Sequence, residues 1–432
     1  MSFLIALMIS RSFCLIKEEI MITKPKGCYD VTGVDAQLYR KIEDTVHGYA
    51  AVYNYKYVRT PIFENEELFK RGVGESSDIV QKETYDFTDR SGRNMTLRPE
   101  GTAGIVRKYI EDKLYGDVKN PIKEYYFETM YRYERPGLGR NREFTQFGIE
   151  SLGSDDPLID AEVISFSVNV LRSLGLDVTV KINNLGSIQC RENYKKALVD
   201  YLTPHLNNLC EDCQRRLTIN PLRILDCKVD ASGDILKNAP NIKDYQSPES
   251  NERFHKVLEY LDYLDVNYEI DHNLVRGLDY YDYMVFELVL DDSLALGGGG
   301  RYNHLVNELG GPNTPCVGFA CGVERIINLL KEDYNEEPAI DVYIMAINEE
   351  EKLRANILLQ DLRLSGIISE TDYINRSLKA QFKDADRMGA KQLIILNSDD
   401  LAKGLINVKD NLTKEEHKVP EDEILDYILG VL

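Results

Sequence analysis

A chain of 432 residues with 43% apolar content and a net charge of -20 is long enough for two or three compact domains, each with its own core. Its acidity argues against non-specific adhesion to nucleic acid, yet screening over about 8 Å leaves room for local basic patches that hold phosphates. Eight cysteines at irregular spacing form no pairing framework and point to a reducing, cytosolic setting.

Residues 1–20 are apolar but lack a basic start, are broken by Arg11 and are too short to span a bilayer. They are expected to be an N-terminal extension outside the fold, with Met21 opening the first domain. Apolar spacing predicts a helix over 35–54 with Leu38, Ile42, Val46, Tyr49 and Ala50 turned inward. The extended "YKYVRTPIFE" follows, with Pro61 suited to a strand end or an edge. "TYDFTD" and "NMTLRPE" predict short strands joined at Ser91-Gly92. "PEGTAGIVRKYIEDKLY" then predicts a helix capped by Thr102, with Ile105, Val106, Tyr109 and Ile110 as its buried stripe.

"EYYFETMYRYE" and "REFTQFGIES" alternate with period two around the turn residues Pro136-Gly137-Leu138-Gly139, which predicts a hairpin. Parity puts Glu128, Met130, Arg132 and Glu134 on one face of the first strand. It puts Phe144, Gln146, Gly148 and Glu150 on one face of the second. The hairpin carries Arg132, Arg135, Arg140 and Arg142 within eleven residues of an acidic chain. Guanidinium forks match phosphate oxygens, and Phe144 can stack on a base; the plainer alternative is that these arginines only pair with Glu134 and Glu143.

Residues 186–265 break the strand rhythm and are expected to be an inserted helical module. Within it, Cys210, Cys213 and Cys227 give one CxxC pair and a third cysteine. A closed zinc site needs a fourth ligand, for which Cys190 or His205 is available, but buried free cysteines are the simpler reading and no metal is assigned. Strands resume at "VNYEI" and "DYYDYMVFELVL". In "LVRGLDYYDYMVFE", Arg276 precedes Tyr280 and Tyr281, and Tyr281, Tyr283 and Glu287 share a parity. Hydroxyls and a carboxylate aimed at one spot suit both nitrogens of an imidazole, whereas core tyrosines are the bland reading. The four glycines 297–300 have neither the P-loop pattern nor the dinucleotide spacing, which argues against a kinase or dehydrogenase. His47 and His304 receive no catalytic role. After the acidic linker "KEDYNEEPA", strands and amphipathic helices alternate as in a small separate α/β domain.

Five stretches in order, "TLRPEGT", "YRYERPGLGRNREFTQFGIE", "RGLDYY", "GGGGRYNHLVNELGG" and "GFACGVERI", resemble the histidyl-tRNA synthetases, a class II aminoacyl-tRNA synthetase family. The likeness runs from about residue 21 to the carboxyl terminus. It implies an α+β fold: an antiparallel catalytic sheet flanked by helices over 21–335, the insertion 186–265, and an α/β anticodon-binding domain over 336–432. "YKYVRTPIFE" resembles the dimer-forming first class II motif, the arginine hairpin the second and "GFACGVERI" the third.

The resemblance places Arg132 on the α-phosphate of ATP, Glu134 and Phe144 around adenine, and Arg325 on the γ-phosphate. Glu100, Thr102 and Gln146 take the histidine α-amino group; Glu150, Tyr281 and Tyr302 read the imidazole; Arg276 acts near the reacting carboxylate and α-phosphate. The implied reaction forms histidyl-adenylate from histidine and ATP with Mg2+, then charges tRNA(His), in a homodimer with no membrane association. The hairpin arginines are expected to clamp ATP and the tRNA acceptor end.

The turn is less basic than the family pattern at Leu138, Asn141 and Glu143, which weakens the acceptor-end expectation. Asn303 stands where the family carries aspartate. In the last domain, Arg376, Lys379 and Lys383 suit RNA phosphates or simply a solvated helix face. Two rivals share the core: a non-enzymatic, synthetase-like regulatory subunit of the histidine-biosynthetic phosphoribosyltransferase, and a class II synthetase for another amino acid.

Overall fold

The structure is a computed structural model that describes residues 22–432 apart from 75–76, 78, 117–120, 138, 228, 231–232, 291–293, 333 and 335–339. The expected extension 1–20, the turn position Leu138 and most of the linker 331–339 lie outside the described residues. The chain divides between residues 333 and 334 into two compact units.

The strands, in chain order, are β1 Lys56–Tyr57, β2 Phe63–Asn65, β3 Tyr85–Thr88, β4 Asn94–Leu97, β5 Ile122–Tyr131, β6 Glu143–Leu152, β7 Thr179–Asn184 and β8 Tyr268–Ile270. There follow β9 Asp282–Leu290, β10 Leu294–Arg301, β11 Cys316–Gly322, β12 Val342–Met345, β13 Ser369–Thr371, β14 Gln392–Ile395, β15 Leu405–Asp410 and β16 Glu416–Pro420. The helices of eight residues or more begin with α1 Gly33–Val52, α2 Glu66–Val73, α3 Thr102–Glu111, α4 Pro157–Ser173, α5 Ile188–Leu202 and α6 Glu211–Ile219. The remainder are α7 Pro248–Tyr263, α8 Val323–Leu330, α9 Glu349–Leu364, α10 Leu378–Arg387 and α11 Ile424–Val431.

The first unit is built on a sheet of eight strands in the order β1-β5-β6-β11-β10-β9-β7-β8. Its six central strands pair antiparallel, while β1 and β8 add parallel edges. The predicted hairpin forms in the register Glu128↔Gln146 and Met130↔Phe144, which puts directly opposed side chains on one face. The other face takes the apolar half of the alternation: Phe147 and Phe319 meet at 5.9 Å, and Phe166 of α4 sits 5.9 Å from Phe319. Helix α4 starts cleanly because Asp156 accepts the N–H of Leu158 and Pro157 occupies the first turn. It packs on β11, α1 and α7. The stripe expected for α1 is buried at Leu38, Ile42, Val46 and Ala50.

On the face away from α4, each of these central cross-strand pairs contains a glycine: Gly148 faces Ala320, Gly318 faces Glu150, and Gly298 faces both Ala320 and Glu287. A sheet stripped of side chains at its middle leaves space above its backbone. That space is the site.

Three local expectations are corrected. Thr102 is not the cap of α3 but its first residue, and the Glu100 carboxylate does the capping, accepting the N–H groups of Thr102 and Ala103, each at 2.8 Å. Tyr283 does not share a face with Tyr281, because its φ of +46° twists the chain at the start of β9. Its ring instead lies 5.9 Å from the Arg253 guanidinium. Glu128 faces no ligand space either: Arg98, itself buried, pairs with it, and Tyr57 donates to it at 3.3 Å.

The second unit holds a sheet in the order β13-β12-β14-β15-β16, parallel around β12 and antiparallel beyond β14. A reciprocal cap between Asn348 and Glu351 opens α9. Arg376 is held by Asp372 and Asp384, whereas Lys379 and Lys383 are exposed.

Candidate active site

A cavity of about 250 Å³ opens on the bare middle of the large sheet. Of the expected site residues, Glu100, Thr102, Arg132, Glu134, Phe144, Gln146, Arg276, Tyr281 and Arg325 line it. Glu150 and Tyr302 do not. They lie one layer behind, where Thr102 Oγ1 donates to Glu150 at 2.6 Å and the Tyr302 hydroxyl donates to the other Glu150 oxygen. Arg140 of the hairpin also lines the cavity, as do Tyr126, Tyr280 and Glu324, for which the sequence suggested no role.

The lining residues fall into two chemical groups. The first is cationic. Arg132 donates through Nε to Pro99 O at 2.8 Å, and its guanidinium lies 5.2 Å from the Phe144 ring. Arg325 donates to Ala295 O at 2.5 Å and to Gly139 O at 3.4 Å, and Glu134 stands 3.8 Å from Arg140. Burial, reinforced by Arg140 and Arg132, holds the Arg325 guanidinium below its ordinary pKa. Clustered like charges with this much desolvation make a strong demand for an anion. The hairpin arginines do not all serve it. Arg142 stacks 3.9 Å over the Tyr133 ring and Arg135 points to solvent, so the four-arginine clamp reduces to Arg132 and Arg140.

The second group is hydroxyl and carboxyl. The rings of Tyr280 and Tyr281 are 4.6 Å apart, and those of Tyr280 and Tyr302 are 5.6 Å apart. Tyr280 is buried beside Thr102, whose hydroxyl donates to Glu150. Burial pushes the Glu150 carboxyl up to about 8 and raises that of Glu100 despite its backbone donors. Gly318 exists to admit Glu150: a Cβ there would come 1.7 Å from its Oε2.

Arg276 stands between the groups. It pairs with Glu287, neighbours Tyr280 and Tyr281, and lies so close to the strand floor that a Cβ at Gly298 would meet its Nη1 at 2.9 Å. Glu324, pushed up to about 7 by burial, braces the hairpin by accepting the N–H of Thr145 at 2.7 Å. An anion-seeking half and a polar, hydroxyl-lined half joined by one arginine can hold a polyphosphate beside a small zwitterion. Tyr126 was within reach of the sequence, since it shares parity with Glu128 and Arg132. Tyr280 was not, because its neighbour Tyr281 has the opposite parity and only the turn before β9 brings both inward.

Residues 27–326 match the family profile described as Histidyl-tRNA synthetase. The chain belongs to that family. A histidine–tRNA ligase of Bacillus cytotoxicus is 48% identical over 94% of this chain and 98% of its own length. One from Geobacillus sp. is 46% identical with the same coverage. The apo histidyl-tRNA synthetase of S. aureus superposes with a TM-score of 0.80 at 38% identity, covering 94% of this chain and 100% of that one. Residues 341–430 match the profile described as Anticodon binding domain. A Bacillus halodurans C protein described as an ATP phosphoribosyltransferase regulatory subunit/histidyl-tRNA synthetase shares the fold, with a TM-score of 0.62 at 22% identity.

The departure at Asn303 has a structural account. Its Oδ1 accepts the N–H of Cys316 at 3.0 Å and its own N–H reaches Asp282, so it ties the end of β10 to β11. The same Oδ1 also accepts from the Arg301 guanidinium at 3.4 Å, so an amide oxygen serves both donors. The cysteine expectation is corrected: neither Cys190 nor His205 joins Cys210, Cys213 and Cys227. Cys190 accepts from Ser187 at 3.3 Å and His205 lies against the Tyr201 ring, while Asp230 comes to the three thiols.

Proposed function

We propose that the chain activates histidine with ATP and passes it to the acceptor end of tRNA(His). Histidine enters with its carboxylate toward Arg276. Its ammonium is taken by the Glu100 carboxylate, the Thr102 hydroxyl and the Gln146 amide, whose Oε1 is buried without a hydrogen-bond partner. The imidazole goes toward Tyr281 and the Glu150–Tyr302 pair, which act through the Thr102 layer. ATP lies along the cationic half with adenine on Phe144 beside Glu134, the α-phosphate between Arg132 and Arg276, and the γ-phosphate on Arg325.

The histidine carboxylate oxygen attacks the α-phosphorus, the bond to the bridging oxygen breaks, and pyrophosphate leaves. Arginines fixed before the reaction stabilise the charge that builds on the α-phosphate without reorganising. Burial of Tyr280, Tyr281 and Glu150 removes water from the amino-acid end. Mg2+ prefers oxygen ligands, several of them phosphate and water. The ion would neutralise phosphate charge along the cationic half, with the triphosphate itself supplying oxygen ligands.

The observation that carries this reading is Arg276 bridging the two halves of one cavity. The reading extends to domains at 21–335 and 336–432 with the insertion at 186–265, to a cytoplasmic setting, and to a homodimer. The exposed Phe63 and Phe87, 6.1 Å apart on the small sheet, supply apolar area for a second copy. Among the described residues no helix is long and apolar enough to cross a membrane.

ATP–pyrophosphate exchange measured with each standard amino acid tests the proposal. Exchange with histidine alone supports it. No exchange supports the regulatory-subunit reading, and exchange with a different amino acid removes the assigned specificity.

A further inference from the structure

Away from the active site, the segment 210–230 brings together groups that the ligase chemistry does not use. Cys210 sits at the amino end of α6, Cys213 lies in its first turn, and Cys227 and Asp230 follow the short helical turn Pro221–Ile224. Two residues separate the members of each pair, so the pattern is Cys-x-x-Cys followed by Cys-x-x-Asp. One sulfur from each cysteine and one carboxylate oxygen all lie within 4.8 Å of one another. The Cys210 and Cys227 sulfurs are 3.7 Å apart, and Cys227 Sγ is 3.8 Å from Asp230 Oδ2.

These separations have a chemical meaning. Four donors around a zinc ion, at about 2.3 Å for sulfur and about 2.1 Å for oxygen, form a tetrahedron whose edges are about 3.6–3.8 Å. A disulfide would need its sulfurs at about 2.05 Å. Cys213 is wholly buried and Cys227 nearly so, which suits a closed structural site better than an exposed redox pair.

We propose that Cys210, Cys213, Cys227 and Asp230 form a structural zinc site in the inserted module. The site fastens both ends of the stretch 214–226. That stretch reaches the catalytic loop: Asn220 Nδ2 donates to Asp279 Oδ1 at 2.6 Å, and Arg223 Nη1 donates to the Gly277 carbonyl at 2.7 Å. Gly277 follows Arg276 directly. The zinc therefore acts as a brace at one remove from the arginine that bridges the cavity, and its ligands are positioning residues.

The test is the metal content of the full chain purified under thiol protection, with the spectrum of the cobalt-exchanged protein. Metal content and spectrum do not depend on ligase activity, so this claim and the proposed function fail separately. We expect about one zinc per chain and, with Co2+, the intense thiolate-to-cobalt charge-transfer bands of tetrahedral sulfur coordination. Cys227→Ser and Asp230→Asn should each lower zinc occupancy by at least about tenfold. They should also lower kcat for pyrophosphate exchange more than they raise KM for ATP, because the brace serves Arg276 rather than the adenine bed. If a variant does not fold, the metal content and cobalt spectrum of the unaltered chain still decide. A chain that purifies without metal and takes up no Co2+ overturns the proposal, as does a Cys210–Cys227 disulfide found in the native chain.

Discussion

Arg276 reaches the cavity with its charge already committed to Glu287, so it is held in place before either substrate arrives. Such a group contributes most when charge moves onto the α-phosphate, and little to ground-state binding. Arg276→Ala should lower kcat for histidine-dependent pyrophosphate exchange about 100- to 1,000-fold while changing the Kd for histidine less than about tenfold. Equal losses in both, measured by exchange kinetics and calorimetry, would remove its catalytic assignment.

Glu150 allows a prediction of a different kind. Its carboxyl is raised from an ordinary 4.5 to about 8 by burial, so the folded state holds the proton more tightly than the unfolded chain does. The resulting stabilisation is complete below the unfolded value and is lost as pH rises through the folded one. Glu150→Gln carries no such proton. Between about pH 5 and about pH 9, the Tm of the ligand-free variant should therefore gain on that of the parent chain. A constant difference across that range would mean Glu150 is already ionised at neutral pH.

At the scale of the element, strand β10 explains the glycine run that matched no phosphate-binding pattern. A Cβ at Gly298 would sit 2.4 Å from the Phe286 carbonyl oxygen as well as against Arg276. Gly298→Ala should cost about 1–3 kcal/mol in urea denaturation and depress exchange further than that loss accounts for. Full activity in the variant would show that the floor of the cavity is looser than described.

Strand parity made much of this site legible. Arg132, Phe144, Gln146 and Glu150 follow from period two alone, because the hairpin has no bulge between them. Parity failed where local geometry intervened. The positive φ at Tyr283 ended the alternation of β9, and the Glu128 carboxylate was taken by Arg98, which follows β4 of the small sheet. The glycines gave no parity signal, since what matters in them is the side chain they lack. Glu150 keeps the parity of Gln146, but its depth could not be read from the sequence, because only packing against Thr102 and Tyr302 places it behind the wall.

At the scale of the whole molecule, the chain divides into two units, and the proposed histidine and ATP contacts all fall in the first. Every residue assigned to histidine or ATP lies before residue 333, and the anticodon-binding profile begins at residue 341. A chain ending at residue 333 should keep pyrophosphate exchange to within about tenfold yet lose most tRNA charging, since the acceptor end alone leaves few phosphate contacts. Unchanged charging would deny the second unit its role in RNA binding. The order of the motifs carried the fold class and the spacing of Cys210, Cys213 and Cys227 marked a cluster, but Asp230 was missed because a single carboxylate in a helical insertion has no period to betray it.

The most direct measurement is a crystal structure of the full chain with a non-hydrolysable analogue of histidyl-adenylate. The account predicts adenine on Phe144, the phosphate mimic between Arg132 and Arg276, and the imidazole against Tyr281 with Glu150 behind it. An analogue bound elsewhere, or one whose imidazole faces the arginines, would contradict it.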